Sequence, residues 1–219
     1  MKLLKRQRHR AGGFTLLELV ISLGLTSVMV GAAVMIQVAG TNALQSSNQQ
    51  LEAEGKARRG LDRVAQELER AIIMDVWTNF TPLAPDSPEL SYLNVGGLVD
   101  GVMVPGHATR IRLEPDPRDP NNGVDDDGDG LIDEGVVALY RNLFEADEIR
   151  VVICSDVTEF FAGETGNGAD DNGNGLTDEA GFHFEQDGDL ITVRICVAGV
   201  SSEGTTVIRT AETSIRLRN

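Results

Sequence analysis

The sequence predicts an α+β protein: a long amino-terminal helix, membrane-spanning in its first half, packed by its second half on an antiparallel β-sheet. Three observations carry that prediction. A nearly uninterrupted apolar run extends from Phe14 to Gly40. A polar but helix-patterned stretch follows, with no proline before Pro82. The rest of the chain shows six segments of alternating or apolar character separated by turn residues.

The first thirteen residues, MKLLKRQRHRAGG, hold Lys2, Lys5, Arg6, Arg8 and Arg10 and no acid. Basic residues ahead of an apolar run stay on the cytoplasmic side of a membrane. The run itself is as long as a bilayer-spanning helix requires. A secretory signal peptide would have a shorter apolar region and an A-x-A-like site. Residues 1–13 therefore read as a basic leader and 14–40 as a single membrane-spanning helix.

One acid, Glu18, interrupts the apolar run. A carboxylate there is costly unless it finds a partner. The segment Gly13-Phe14-Thr15-Leu16-Leu17-Glu18 resembles the class III signal of type IV prepilins and type II secretion pseudopilins. The resemblance implies cleavage by a prepilin peptidase between Gly13 and Phe14, and methylation of the new Phe14 amine. It also implies that Glu18 pairs with the terminal amine of a neighbouring subunit during assembly. A buried carboxylate and a buried ammonium each carry a large desolvation cost, and pairing them relieves both. The implied partners are other pilin or pseudopilin subunits, the peptidase and the membrane. The implied location is the inner (cytoplasmic) membrane, with an extracytoplasmic domain that joins a periplasmic or surface filament. Major pilins often carry a proline two-thirds along this segment; this chain has none, so a straighter helix is expected, with Gly24 and Gly31 as its soft points.

Beyond Gly40, Leu44, Leu51, Leu61, Val64, Leu68 and Ile72 largely share one helical face. Glu52–Lys56 and Glu54–Arg58 are i,i+4 pairs in the favourable order. The spacing predicts one helix from 15 to 74, roughly 90 Å long, with 41–74 as its amphipathic half and Gly55 and Gly60 as weak points. The stretch KARRGLDRVAQELERAI and the terminal ETSIRLRN are similar to the matching regions of PilW-like minor pilins and J-type pseudopilins. That resemblance implies a pilin-like fold.

Residues 75–219 read as a globular β-rich domain. The Pro-, Gly-, Asn- and Ser-rich stretch 75–106 reads as an irregular connection with one short strand. Strands are predicted at 108–113, 136–142, 149–161, 182–186, 189–198 and 205–217. Alternation sets Cys154 with Arg150, and Cys196 with Thr192 and Arg194, on outer strand faces. The two cysteines form a disulfide if their strands are neighbours; two free thiols are the other outcome.

The sharpest internal signal is a repeat. NGVDDDGDGLIDE (122–134) recurs as NGADDNGNGLTDE (167–179), offset by 45 residues with nine of thirteen positions identical. Asp125, Asp127 and Asp129 followed by Gly130 reproduce the D-x-D-x-D-G opening of a calcium loop. Leu131 would add a carbonyl, and Asp133 and Glu134 would close the shell. The second copy offers Asp170, Asn172, Asn174, Leu176, Asp178 and Glu179 in the same places, with less charge and so weaker binding. The twelfth positions are Val136 and Gly181, so the bidentate glutamate of an EF-hand is missing. The loops are similar to the helix-free calcium loops of dockerin or thrombospondin-type repeats. Zinc is disfavoured because neither loop holds His or Cys. Magnesium is disfavoured by its reluctance to dehydrate. The bland alternative is a pair of solvated Asn-Gly and Asp-Gly turns.

The formal net charge is −15, and removal of the leader makes it five units more negative. Such a surface repels phosphate backbones, which argues against nucleic acid as a partner. His9, His107 and His183 show no catalytic spacing, and no enzymatic activity is expected. The expected function is that of a minor pilin-like subunit of a type IV pilus, acting in assembly or surface display, with calcium-stabilised loops. The alternatives are a J-type minor pseudopilin at a type II secretion tip, and a membrane-anchored monomeric calcium-dependent adhesin.

Overall fold

A computed structural model describes residues 13–72, 86–201 and 204–216. The leader before Gly13, Pro82 with the start of the predicted 75–106 connection, and the last three residues of ETSIRLRN lie outside them. The element order is one helix, α1 (Leu16–Leu68), then eight strands. These are β1 (Ala71–Ile72), β2 (Glu89–Val99), β3 (Val102–Pro115), β4 (Gly135–Arg141), β5 (Ile149–Val157), β6 (Phe182–Asp187), β7 (Leu190–Val200) and β8 (Thr206–Arg216). The chain divides into two compact units, Met1–Leu44 and Gln45–Asn219.

In the first unit, the helix begins with a capping box. Thr15 stands ahead of the first turn, and its hydroxyl accepts the Glu18 N–H at 3.2 Å. The Glu18 carboxylate reaches back to accept the Thr15 N–H and hydroxyl, both at 3.0 Å. Large apolar side chains from Phe14 to Val38 are 53–84% exposed. The hydroxyls among them are satisfied within the helix: Ser22 donates to the Glu18 carbonyl, Thr26 to that of Ser22 and Ser27 to that of Leu23, at 2.6–2.7 Å. Lipid offers such groups no partner, so back-bonding lets them lie in an apolar medium. Among the described residues this is the one helix long and apolar enough to cross a membrane.

In the second unit the helix lies on a single antiparallel sheet of order β1-β2-β3-β4-β5-β7-β6, with β8 on the other edge of β7. The sheet is curled: an isolated bridge between Ser87 and Phe184 brings the start of β2 to β6. Ala53, Ala57, Gly60, Leu61, Val64 and Leu68 form the buried helical stripe. They meet Ile111, Val137, Leu139, Phe182, Phe184, Ile195 and their neighbours. Leu44 and Leu51, expected in that stripe, are exposed. Small residues carry the first contacts instead, because the helix approaches the sheet too closely for leucine. A Cβ on Gly60 would lie 3.0 Å from Cys154 Cβ.

The helix ends at Leu68, earlier than the predicted residue 74. The Arg70 N–H folds back to the Glu67 carbonyl at 3.1 Å, and Ala71–Ile72 then join the sheet edge against Leu93 and Asn94. Edge pairing outweighs the helical pattern there. The larger correction concerns 75–106, where a single short strand was expected. Glu89–Val99 is a full strand, and β3 starts at Val102. Gly96 and Gly106 face each other across this hairpin so closely that a Cβ on Gly96 would lie 2.7 Å from the Pro105 carbonyl. These glycines serve close backbone approach within a ladder, where composition suggests a loop.

The cysteines correct another expectation. Both are free and buried. Strands β5 and β7 do adjoin, at Val157 and Val197. A bulge in β5, between the pairs Val137↔Cys154 and Ala138↔Val152, inserts one extra residue. That insertion turns Cys154 to the helix side, against Gly60. Cys196 alternates with the core residues Ile195 and Val197 and so faces the other way. Thiols on opposite faces of a sheet cannot bond.

Candidate functional site

Two places carry chemistry: the amino-terminal segment and the acidic loops. Gly13 and Phe14 are exposed, Phe14 to 84%, so the proposed cleavage point is open to a peptidase. Glu18 lies one turn in, also exposed, with Thr15 as its partner within the chain.

The acidic loops leave the same end of the sheet. Loop 1 joins β3 to β4, loop 2 joins β5 to β6, and Gly135 at the start of β4 pairs with Val157 at the end of β5. Their backbones repeat each other. Gly123, Gly128, Gly130 and Asp133 have φ of 81°, 79°, 91° and 55°; Gly168, Gly173, Gly175 and Asp178 have 77°, 77°, 92° and 53°. The D-x-D-x-D-G spacing produces this shape by side-chain capping of successive amides. Asp125 accepts the Gly128 and Gly130 N–H groups at 2.6 and 3.0 Å, and Asp170 accepts those of Gly173 and Gly175 at 2.6 and 2.8 Å.

Asp133 and Asp178 hold the loop closed from the other side. Asp133 accepts the Asn122 and Gly123 N–H groups at 2.7–3.0 Å, and Asp178 those of Asn167 and Gly168 at 2.9–3.1 Å. Their oxygens serve the backbone, so the structure gives them a tethering task where the sequence suggested shell closure. Two further acids went unnoticed in the sequence. Buried Asp119 accepts the Asp126 and Asp133 N–H groups at 2.8 and 2.7 Å. Buried Glu164, 45 residues on, accepts those of Asn172 and Asp178 at 2.9 and 3.2 Å. Extending the repeat three residues upstream would have found both.

The carboxylates of Asp125, Asp127 and Asp129 offer oxygens within 4.8 Å of one another, and among the described residues no other group of three potential ligands does so. Arg118 is the nearest fixed cation, 3.8 Å from Asp127 but held chiefly by Asp116 at 2.7 Å. Glu134 stands beneath the loop, only 4% exposed, with its Oε2 unpartnered among the described residues. Burial, followed by the neighbouring carboxyls of Asp119 and Asp129, pushes Glu134 up to about 7. Burial and the like charges of Asp127, Asp156 and Asp125 also raise Asp129. Three convergent oxygens, a buried acid with one unpartnered oxygen and no nitrogen or sulfur donor fit a hard oxygen-seeking cation such as calcium. In loop 2 the equivalent Glu179, 1% exposed, accepts a hydrogen bond from the Asn174 amide, and its Oε2 is also unpartnered. Leu131 is buried and Leu176 half-buried beneath their loops.

His107 and His183 lie apart from the acidic triad's set of candidate ligands. His107 is exposed and paired with Glu145 at 2.6 Å, which raises its pKa. His183 is buried, edge-on to Phe161, and hydrogen-bonds the Ala180 carbonyl through Nδ1 at 2.8 Å.

An exposed apolar helix joined to an antiparallel sheet defines a pilin-like α+β architecture. Residues 8–34 match the family model for the prokaryotic N-terminal methylation motif. That motif indicates a type IV pilin- or pseudopilin-like protein, and together with the apolar first half of α1 it is consistent with membrane anchoring. No curated protein and no solved structure matches the chain.

Proposed function

We propose that this protein is a minor subunit of a type IV pilus, inserted in the inner membrane through α1, cut after Gly13 and drawn into the filament by Glu18. The observation that supports this most is the methylation motif over residues 8–34, with Glu18 inside it. Phe14 and the apolar helix offer an uncovered surface for neighbouring helices. In a filament core, Glu18 exchanges its local Thr15 partner for a subunit amine, which relieves two buried charges together. Loop 1 is a calcium site built from Asp125, Asp127 and Asp129. Its role is to fix the connection between β3 and β4 and the surface it displays.

The test separates a filament subunit from a membrane-anchored monomeric adhesin. Glu18→Ala should leave the protein processed and membrane-bound but remove it from sheared filaments. Undiminished recovery in filaments would overturn the assembly reading. Deletion then distinguishes the two filament types: lost piliation supports the pilus, and retained exoproteins support a J-type pseudopilin of type II secretion.

A further inference from the structure

We infer that the two acidic loops are unequal in kind: loop 1 takes one calcium ion closed by Glu134, and loop 2 takes none because the Asn174 side chain occupies the ion's place. This rests on the calcium reading of loop 1 and adds its stoichiometry and closing ligand.

The argument starts from the shared backbone. Since the loops have matching φ values and matching caps on Asp125 and Asp170, their side chains at equivalent positions stand in equivalent places. The tenth residue of each loop is the buried glutamate, Glu134 or Glu179. The fifth is Asp129 in loop 1 and Asn174 in loop 2. Asn174 bridges to Glu179 by donating its amide hydrogen, so the fifth and tenth positions are within reach of one another in this loop shape. In loop 1 the same two positions are both carboxylates. An acid pair has no hydrogen to share when ionised, and it repels. Glu134 keeps one buried oxygen without a hydrogen-bond donor, facing the carboxyls of Asp119 and Asp129. A divalent cation bound by Asp125, Asp127 and Asp129 supplies what the Asn174 amide supplies in loop 2: positive character between the fifth and tenth side chains.

Charge points the same way. The three convergent side chains are carboxylates in loop 1, whereas Asp170 is joined by two neutral amides in loop 2. Calcium affinity in such loops falls as charged ligands are replaced by neutral ones. An amide already committed to Glu179 lowers it further. Loop 2 is thus a copy of the cation loop that folds on its own hydrogen bonds.

The experiment is equilibrium dialysis of calcium against the full-length chain in detergent, with Glu134→Gln, Glu179→Gln and Asn172→Asp/Asn174→Asp variants. Folding of each variant is checked by circular dichroism. The expected result is one ion per chain, lost in Glu134→Gln, retained in Glu179→Gln, and joined by a second ion in the double variant. Two ions in the unaltered chain, one of them lost with Glu179→Gln, would overturn the inference and leave the calcium reading standing. One ion that survives Glu134→Gln would overturn the closing-ligand assignment alone. No bound calcium would overturn the calcium reading and this inference with it.

Discussion

Gly60→Ala and Gly55→Ala are the same change, five residues apart on the same helix, and should have opposite signs. Replacing a helical glycine with alanine stabilises by about 1 kcal/mol through backbone entropy. At Gly55 the new methyl meets only the end of the Arg59 side chain, at 3.0 Å, and that guanidinium can swing away. Gly55→Ala should therefore deliver nearly the full gain. At Gly60 the methyl meets Cys154 Cβ at 3.0 Å, its Sγ at 3.2 Å and Ile195 Cδ1 at 3.6 Å. Cys154 cannot withdraw, because β5 is fixed by its ladder with β4 through Val137. Overpacking a filled core costs about 1–3 kcal/mol. Gly60→Ala thus nets a loss of up to about 2 kcal/mol. The difference between the two variants isolates the packing contribution at about 1–3 kcal/mol. The assay is guanidinium denaturation of the detergent-solubilised chain, followed by the β-sheet circular dichroism signal. Equal stabilisation of both variants, to within about 0.5 kcal/mol, would refute the close approach of α1 to β5.

Calcium at about one hundred times its dissociation constant should stabilise the unaltered chain by about 2.7 kcal/mol over chelator. That is a rise of about 5–10 °C in the thermal midpoint, and magnesium should not reproduce it; equal midpoints would remove calcium from loop 1. Among the described residues, Arg141→Leu leaves Glu67, whose side chain is 5% exposed, with Arg70 at 3.8 Å as its remaining ion pair. Because Arg141 is itself 36% exposed, the expected loss is about 1–3 kcal/mol, and Glu67→Leu in the same chain should recover most of it in a denaturant titration. Burial pushes Glu114 up, but hydrogen bonds from Tyr140, Arg150 and Arg112 at 2.7–2.9 Å outweigh it and hold the carboxyl below the usual range. A lowered folded pKa contributes stability above about pH 4 and loses it as pH falls through the folded value. The stability gap between unaltered chain and Glu114→Gln should therefore close on acidification from pH 6 to pH 3; a gap that widens would contradict the assignment.

Legibility in the sequence followed the length over which a single rule held. The apolar run from Phe14 and the alternation of Ile191, Val193, Ile195 and Val197 each hold over many residues, and the long helix and the strand Leu190–Val200 were legible from them. Within 75–106 only one short strand was expected, because the β2 ladder shifts register at Val95 and Gly97, which breaks the two-residue period. Its glycines signal close approach, and composition does not distinguish that from a turn. Cys154 was placed on the wrong face for a related reason: one inserted residue inverts everything after it. In the loops, the repeat exposed the ligand positions but not their division of labour. Asp133 and Glu134 are neighbours in sequence, yet one caps amides and the other is buried beneath the triad. That choice is made by the left-handed backbone at Asp133, which only the folded loop reveals.

The two free thiols have a practical consequence. Burial pushes Cys154 up to about 12 and Cys196 up to about 11. Thiolate is the reactive form, and both thiols are buried, so both should react slowly with maleimides at neutral pH while the domain is folded. A single cysteine engineered at any exposed position then becomes the only addressable sulfur in the native chain. Such variants allow the filament assembly proposed above to be tested by cross-linking, without first stripping the native cysteines from the sheet.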